Sequence, residues 1–143
     1  MRPRISILLA ALWWGSLTGL GFVVVPMLFA HLGSPAVAGA MAARLFTAQT
    51  WVSAGCAMVL LLAMNRKGPQ EVLPVPRLTT GLVVAGLLLA LLVEFGIAPR
   101  IVSARSDGGN LKLWHGMGTA MYVVQWLCAG AALWRLGKPD VRT

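Results

Sequence analysis

Few side chains in this sequence are of a type that could do chemistry, and they are spread along the whole chain. Glu94 is the one carboxylate inside a long apolar stretch. A carboxylate in such a place is costly unless it is paired, protonated or reached by water. It therefore reads either as half of a structural ion pair or as a proton or cation site. Arg44 is the expected partner, with Arg100 and Arg105 as alternatives further along the chain. A buried pair predicts that Glu94→Gln loses folded protein and that removing Arg44 as well restores it.

His31 and His115 stand at the ends of apolar runs, in the same part of the chain pattern as Arg44, Arg100 and Lys112. Met27 precedes His31 by four residues, and Met117 and Met121, also four apart, follow His115. Imidazole and thioether together suit Cu(I), and two histidines at one level can hold a haem. Methionine is also a common gap-filler in apolar packing, and no Cys-x-x-Cys cluster occurs. The sequence therefore assigns no metal and no cofactor. Cys56 and Cys128 fall deep in apolar runs, where a free thiol packs as a small hydrophobe. No G-x-S-x-G, H-E-x-x-H or phosphate-cradling glycine loop is present. A nucleophile also needs a base beside it, and the histidines and cysteines belong to different depths. No catalytic residue is assigned, and an enzyme is not expected. The candidate binding residues form an outer polar cluster of Glu94, Arg44, His31, His115, Arg100 and Arg105.

The elements that must position these residues follow from composition. Of 143 residues, 58% are hydrophobic and 11% charged, against about 25% charged in ordinary soluble domains. Four acids and twelve bases cannot coat a soluble globule, and the mean hydropathy is +0.78. Apolar runs cover residues 5–32, 45–65, 78–98 and 113–134. Each approaches or exceeds the ~20 residues that cross a ~30 Å hydrocarbon layer. None alternates apolar and polar residues, so strands are not expected. The fold class is an all-α integral membrane four-helix bundle. It forms a single membrane domain over 1–143, with helices near 5–31, 35–65, 78–98 and 113–135.

The first run follows Arg2 and Arg4 like a signal peptide, but it is far longer than a cleavable h-region of roughly 7–15 residues. It is read as a retained helix, kinked or tilted at Pro26, with residues 27–32 turned along the outer interface. Ser34 before Pro35 is an N-cap followed by a favoured first helical residue. Polar loops are expected over 66–77 and 100–112, the latter holding Asp107-Gly108-Gly109-Asn110, and a short tail over 137–143.

The bases then explain the charge. With the N-terminus inside, Arg2, Arg4, Arg66, Lys67, Arg77, Arg135, Lys138 and Arg142 lie on the cytoplasmic side, against Arg44, Arg100, Arg105 and Lys112 outside. That bias places both termini in the cytoplasm. It also accounts for the net charge of +8 without a nucleic-acid partner. Gly15 and Gly19 make a G-x-x-x-G expected to pack inside the monomer. Gln49, Thr50 and Gln125 are expected to hydrogen-bond between helices, and Trp13, Trp14, Trp51 and Trp126 to pack internally.

The two halves also share motifs. Phe22-Val-Val-Val-Pro26 matches Phe95-Gly-Ile-Ala-Pro99, and Trp51-Val-Ser-Ala-Gly-Cys-Ala57 matches Trp126-Leu-Cys-Ala-Gly-Ala-Ala132. Their offsets, 73 and 75 residues, suggest two related hairpins in parallel orientation. Leu12-Trp13-Trp14-Gly15-Ser16-Leu17, Val25-Pro26-Met27-Leu28-Phe29, residues 38–46, Phe95-Gly96-Ile97-Ala98-Pro99, Arg105 and Leu113-Trp114-His115-Gly116 carry a resemblance over residues 12–136. The chain resembles a bacterial four-helix membrane family of unknown function related to animal transmembrane protein 205. The resemblance implies the four-helix membrane fold and transfers no activity.

The reading is a small multi-pass protein of the bacterial inner membrane, non-enzymatic, with a structural or accessory role. Its partners are membrane lipids, with a second copy or an unidentified protein as further candidates. The alternative is a small transporter or cation-handling protein with an outer-facing site.

Overall fold

The computed structural model describes residues 2–65 and 77–138. Four helices are long and apolar enough to cross a membrane: α1 (Arg4–His31), α2 (Pro35–Asn65), α3 (Arg77–Ser106) and α4 (Leu111–Leu136). No strand occurs among the described residues. Residues 66–76 and 139–143, most of one expected loop and of the tail, lie outside them.

The hairpin connections are built alike. Ser34 Oγ accepts the Val37 N–H at 3.2 Å, and Asn110 Oδ1 accepts the Leu113 N–H at 3.0 Å. Each satisfies a donor left free at a helix start. Between α3 and α4, Gly108 turns the chain at φ +72°, a left-handed conformation that favours glycine.

The sequence ends the third helix near residue 98 and starts the fourth near 113; the structure carries α3 to Ser106 and starts α4 at Leu111. The reason is the treatment of Pro99. Proline lacks an N–H and its ring clashes with the carbonyl four residues back. In α3 the turn ahead of it widens into a π-helical segment, Val93–Ile97, closed by the Ala98 N–H on the Val93 carbonyl. Pro99 then falls in the first turn of the renewed α-helix, where no N–H is needed. The same device precedes Pro26: Leu20–Val24 is π-helical, the Val25 N–H reaches the Leu20 carbonyl, and the chain stays helical to His31. Residues 27–31 thus continue α1 as helix. The two π segments begin at Leu20 and Val93, 73 residues apart, the offset of the Phe-x-x-x-Pro motifs. Two related hairpins make up the fold.

The helices form a ring in which α1 packs on α2 and α4, and α3 packs on the same two. Contacts Gly39–Arg105 and Thr47–Glu94 run in opposite senses along α2 and α3, so that pair is antiparallel. Gly21–Tyr122 and Gly130–Trp14 show the same for α1 and α4.

Trp13 fills the centre. It is fully buried with Ala10, Leu17, Ala57, Leu60, Val83, Ala129 and Ala132. Its ring crosses from α1 to α3, where a Cβ on Gly86 would meet Cη2 at 2.7 Å. Lipid removes the hydrophobic drive between helices, so this fit and its dispersion contacts hold the ring of helices together. By contrast, a Cβ on Gly15 or Gly19 would meet nothing within 4 Å. The G-x-x-x-G therefore does not pack inside the monomer; the close approaches fall at Gly21, Gly86 and Gly130, where aromatic rings press on the backbone.

Gly86→Ala is expected to destabilise the bundle by roughly 1–3 kcal/mol through overpacking against a rigid ring. Gly15→Ala is expected to be neutral or slightly stabilising. Detergent-denaturant titration of the purified protein checks both.

Candidate functional site

Polar groups inside the bundle come first, because lipid offers them no partner. Gln49 Nε2 on α2 donates to Ser16 Oγ on α1 at 2.9 Å and to Ser53 Oγ at 3.3 Å. Gln125 Nε2 on α4 donates to the same Ser53 Oγ at 3.1 Å. One hydroxyl thus ties α2 to α4 across the ring, and Ser16 draws in α1. Gln49 and Gln125 bond between helices as expected; Thr50 instead turns back to its own backbone at Phe46 O, 3.1 Å away. Near the ends of the helices, Arg135 Nε donates to Thr79 Oγ1 at 3.1 Å and joins α4 to α3. Cys56 and Cys128 are free thiols, buried and half-buried respectively.

Glu94 lies within the π segment of α3 and is half-buried. Its Oε1 accepts the Thr47 hydroxyl of α2 at 2.9 Å. Arg44, one turn before Thr47, is exposed and has no hydrogen bond or ion pair among the described residues. The expected Glu94–Arg44 pair does not form within the chain. A hydroxyl reaches the carboxylate without bringing a second charge into lipid, so the shorter side chain takes the place. Thr47 was legible only as the residue three past Arg44 on the same helical face.

The remaining candidates are held separately rather than gathered. The His31 Nδ1 lies 3.0 Å from the Met27 carbonyl, which accepts a hydrogen bond from the Nδ1–H tautomer, so the residue spacing that suggested a thioether–imidazole pair serves a backbone contact. The Arg100 guanidinium lies 4.7 Å from the Trp114 ring centre, a cation–π contact. Arg105 lies on Gly39, its Nη2 3.2 Å from where a Cβ would stand. His115 is exposed, and its carbonyl accepts the Thr119 hydroxyl at 2.9 Å. Among the described residues no three His, Cys, Asp or Glu side chains come together as a metal-binding group.

The internal repeat exposes what single residues do not. On the α1–α4 seam, the Tyr122 ring covers Gly21, and its hydroxyl donates to the Leu17 carbonyl at 2.7 Å. Trp126 Nε1 donates to Thr18 Oγ1 at 2.8 Å, and its ring meets Trp14 and Phe22 at 5.8 and 5.3 Å. Carried over by 73 and 75 residues, the Gly21–Tyr122 contact becomes Glu94–Thr47, Thr18 becomes Leu91, Trp126 becomes Trp51, and Phe22 becomes Phe95. Leu91 has no hydroxyl for the indole of Trp51. Trp51 is 61% exposed and Phe95 64%. The internal packing expected of Trp51 does not occur, whereas Trp13, Trp14 and Trp126 do pack within the bundle. The candidate site is therefore the α2–α3 seam: a carboxylate held by one hydroxyl, a free guanidinium a turn away, and two exposed aromatic rings.

Two outcomes follow. Glu94→Gln keeps an acceptor for Thr47 and is expected to change monomer stability by no more than about 1 kcal/mol. In dilute monomer its effect should add to that of Arg44→Ala, with coupling below roughly 0.5 kcal/mol in a double-mutant cycle. Ser53→Ala, which takes a partner from both glutamines, is expected to cost about 1–2 kcal/mol in the same unfolding titration.

Residues 8–110 match the sequence profile of one family, a domain of unknown function designated DUF4149. No curated protein and no solved structure matches the chain.

Proposed function

This chain belongs to the DUF4149 family, and from that premise we propose that it is a non-enzymatic structural protein of the bacterial inner membrane that works as a homo-oligomer through its α2–α3 seam. Both termini are cytoplasmic in this reading, which the Lys and Arg bias across the four candidate spans supports. The bacterial setting and the kinship with transmembrane protein 205 rest on the short motifs that carry the resemblance, among them Phe95-Gly96-Ile97-Ala98-Pro99 and Leu113-Trp114-His115-Gly116.

The observation that carries the reading is Glu94. An intramembrane carboxylate is costly without compensation, and here it has one neutral hydroxyl donor while Arg44, one turn before that hydroxyl on α2, is without a partner among the described residues. Two copies related by a twofold axis present each surface to itself. Each Glu94 then meets the Arg44 of the other copy, and Trp51 and Phe95 pack as Trp126 and Phe22 already do within one chain.

Light scattering of the purified protein in a mild detergent is expected to give a multiple of 15.2 kDa. Glu94→Leu is expected to shift it to the monomer, and Glu94 and Arg44 are expected to couple energetically in the oligomer while remaining additive in the monomer. A wild-type protein that stays monomeric at every concentration overturns the reading.

A further inference from the structure

The opposite side of the ring, between α1 and α4, carries a groove of about 520 Å³. Trp14 and Trp126 wall its deeper end and Trp134 its other end, with Gly130, Ala131 and Leu133 along its length. The lining is apolar, and the groove opens outward from the bundle, because Leu127 and Trp134 on its rim are exposed. It exists because Gly130 lacks a side chain where Trp14 lies: a Cβ there would meet Trp14 Nε1 at 2.8 Å.

The antiparallel register of α1 and α4 decides what stands at its open end. Trp14 lies against Gly130. Arg4 is ten residues from Trp14 towards the N-terminus, and Lys138 is eight residues from Gly130 towards the C-terminus. At 1.5 Å per residue Arg4 is about 15 Å from Trp14 along α1, and the last residue of α4, Leu136, is about 9 Å from Gly130 in the same direction, with Lys138 in the turn just beyond it. Both side chains are exposed, with no ion pair among the described residues. The trough thus runs from Trp14 towards the end of the bundle at which Arg4 and Lys138 both stand, with Trp134 at the level where interfacial aromatics settle.

We propose that this groove is a binding site for an anionic phospholipid of the adjacent leaflet, one acyl chain lying along Trp14, Trp126 and Trp134 and the phosphate between Arg4 and Lys138. The charge at the mouth selects the headgroup, and the tryptophan walls fix the chain. The site lies on the face opposite the α2–α3 seam and does not depend on the oligomer.

Native mass spectrometry of the full chain in detergent, with phosphatidylglycerol and phosphatidylcholine of identical acyl chains, tests it. Wild type is expected to retain phosphatidylglycerol in preference by roughly tenfold or more, the scale of two basic side chains beside an anionic headgroup. R4Q/K138Q is expected to abolish that preference while keeping some lipid of both kinds. Ala131→Phe, filling the trough, is expected to lose both. Quenching of the unaltered protein's tryptophan fluorescence offers a reading that needs no variant. Phosphatidylglycerol brominated midway along its chains should quench more than brominated phosphatidylcholine at equal dilution. Equal quenching by the two lipids, a preference that survives R4Q/K138Q, or lipid retention by Ala131→Phe overturns the proposal. So does an oligomer that Ala131→Phe dissociates without loss of lipid, which would make the groove a contact between copies.

Discussion

A proline in the body of a membrane helix is the constraint on which this structure turns. Its missing N–H strands a carbonyl that lipid cannot satisfy, and its ring does not fit an unbroken α-helical turn. Both Pro26 and Pro99 are accommodated by a π-helical turn immediately upstream. That turn inserts the equivalent of one residue and so shifts the helical phase of everything beyond it. Gly21 and Glu94 sit inside the two widened turns, at equivalent places in the repeat, each facing the neighbouring helix of the other hairpin. One position admits an aromatic ring and the other presents a carboxylate. π turns are frequent at functional sites for this reason: they aim a side chain where a regular helix would not.

Around this, the bundle is held by a small number of specific fits. Trp13 against Gly86 spans one diagonal of the ring, and Gln125 to Ser53 spans the other. Trp13 Nε1 is the one fully buried side-chain polar atom without a partner among the described residues. Its ring is placed by shape alone, which agrees with a glycine being required opposite it.

Much of this was legible in the sequence, and the failures have definite causes. Apolar runs between charged residues fixed the four spans, Ser34-Pro35 announced a cap, and the Phe-x-x-x-Pro motifs announced the repeat. The extension of α3 to Ser106 was missed because Pro99-Arg100 reads as a stop; a π turn leaves no local signature beyond a proline, and only its recurrence at Pro26 identifies it. Glu94 was found because a carboxylate in an apolar run is conspicuous. Its partner was missed because charge complementarity pointed to Arg44, while the energetics of lipid favour a neutral donor when one lies within reach. Gly15-x-x-x-Gly19 carried the usual signal for close packing, yet contact depends on which face the neighbouring helices approach, and that is a property of the whole ring.

The divergence of the two seams explains why a protein built from equivalent hairpins need not have equivalent faces. Twofold pseudo-symmetry fixes backbone positions, so a difference in one side chain changes the state of a whole seam. Thr18 anchors Trp126, Trp126 then stacks on Trp14, and the α1–α4 seam closes over the groove wall. Leucine at the equivalent position, Leu91, offers Trp51 no hydrogen bond, and the indole lies on the surface, as the Phe95 ring does. Thr47 stands where Tyr122 covers Gly21, so the half-buried carboxylate at the Gly21-equivalent position meets a hydroxyl in place of an aromatic ring. A hydroxyl lost on one helix and a carboxylate gained on the same helix three residues later thus turn an internal seam into a surface that can meet another chain. The equivalent seam, with its hydroxyl retained, keeps its aromatic residues for itself.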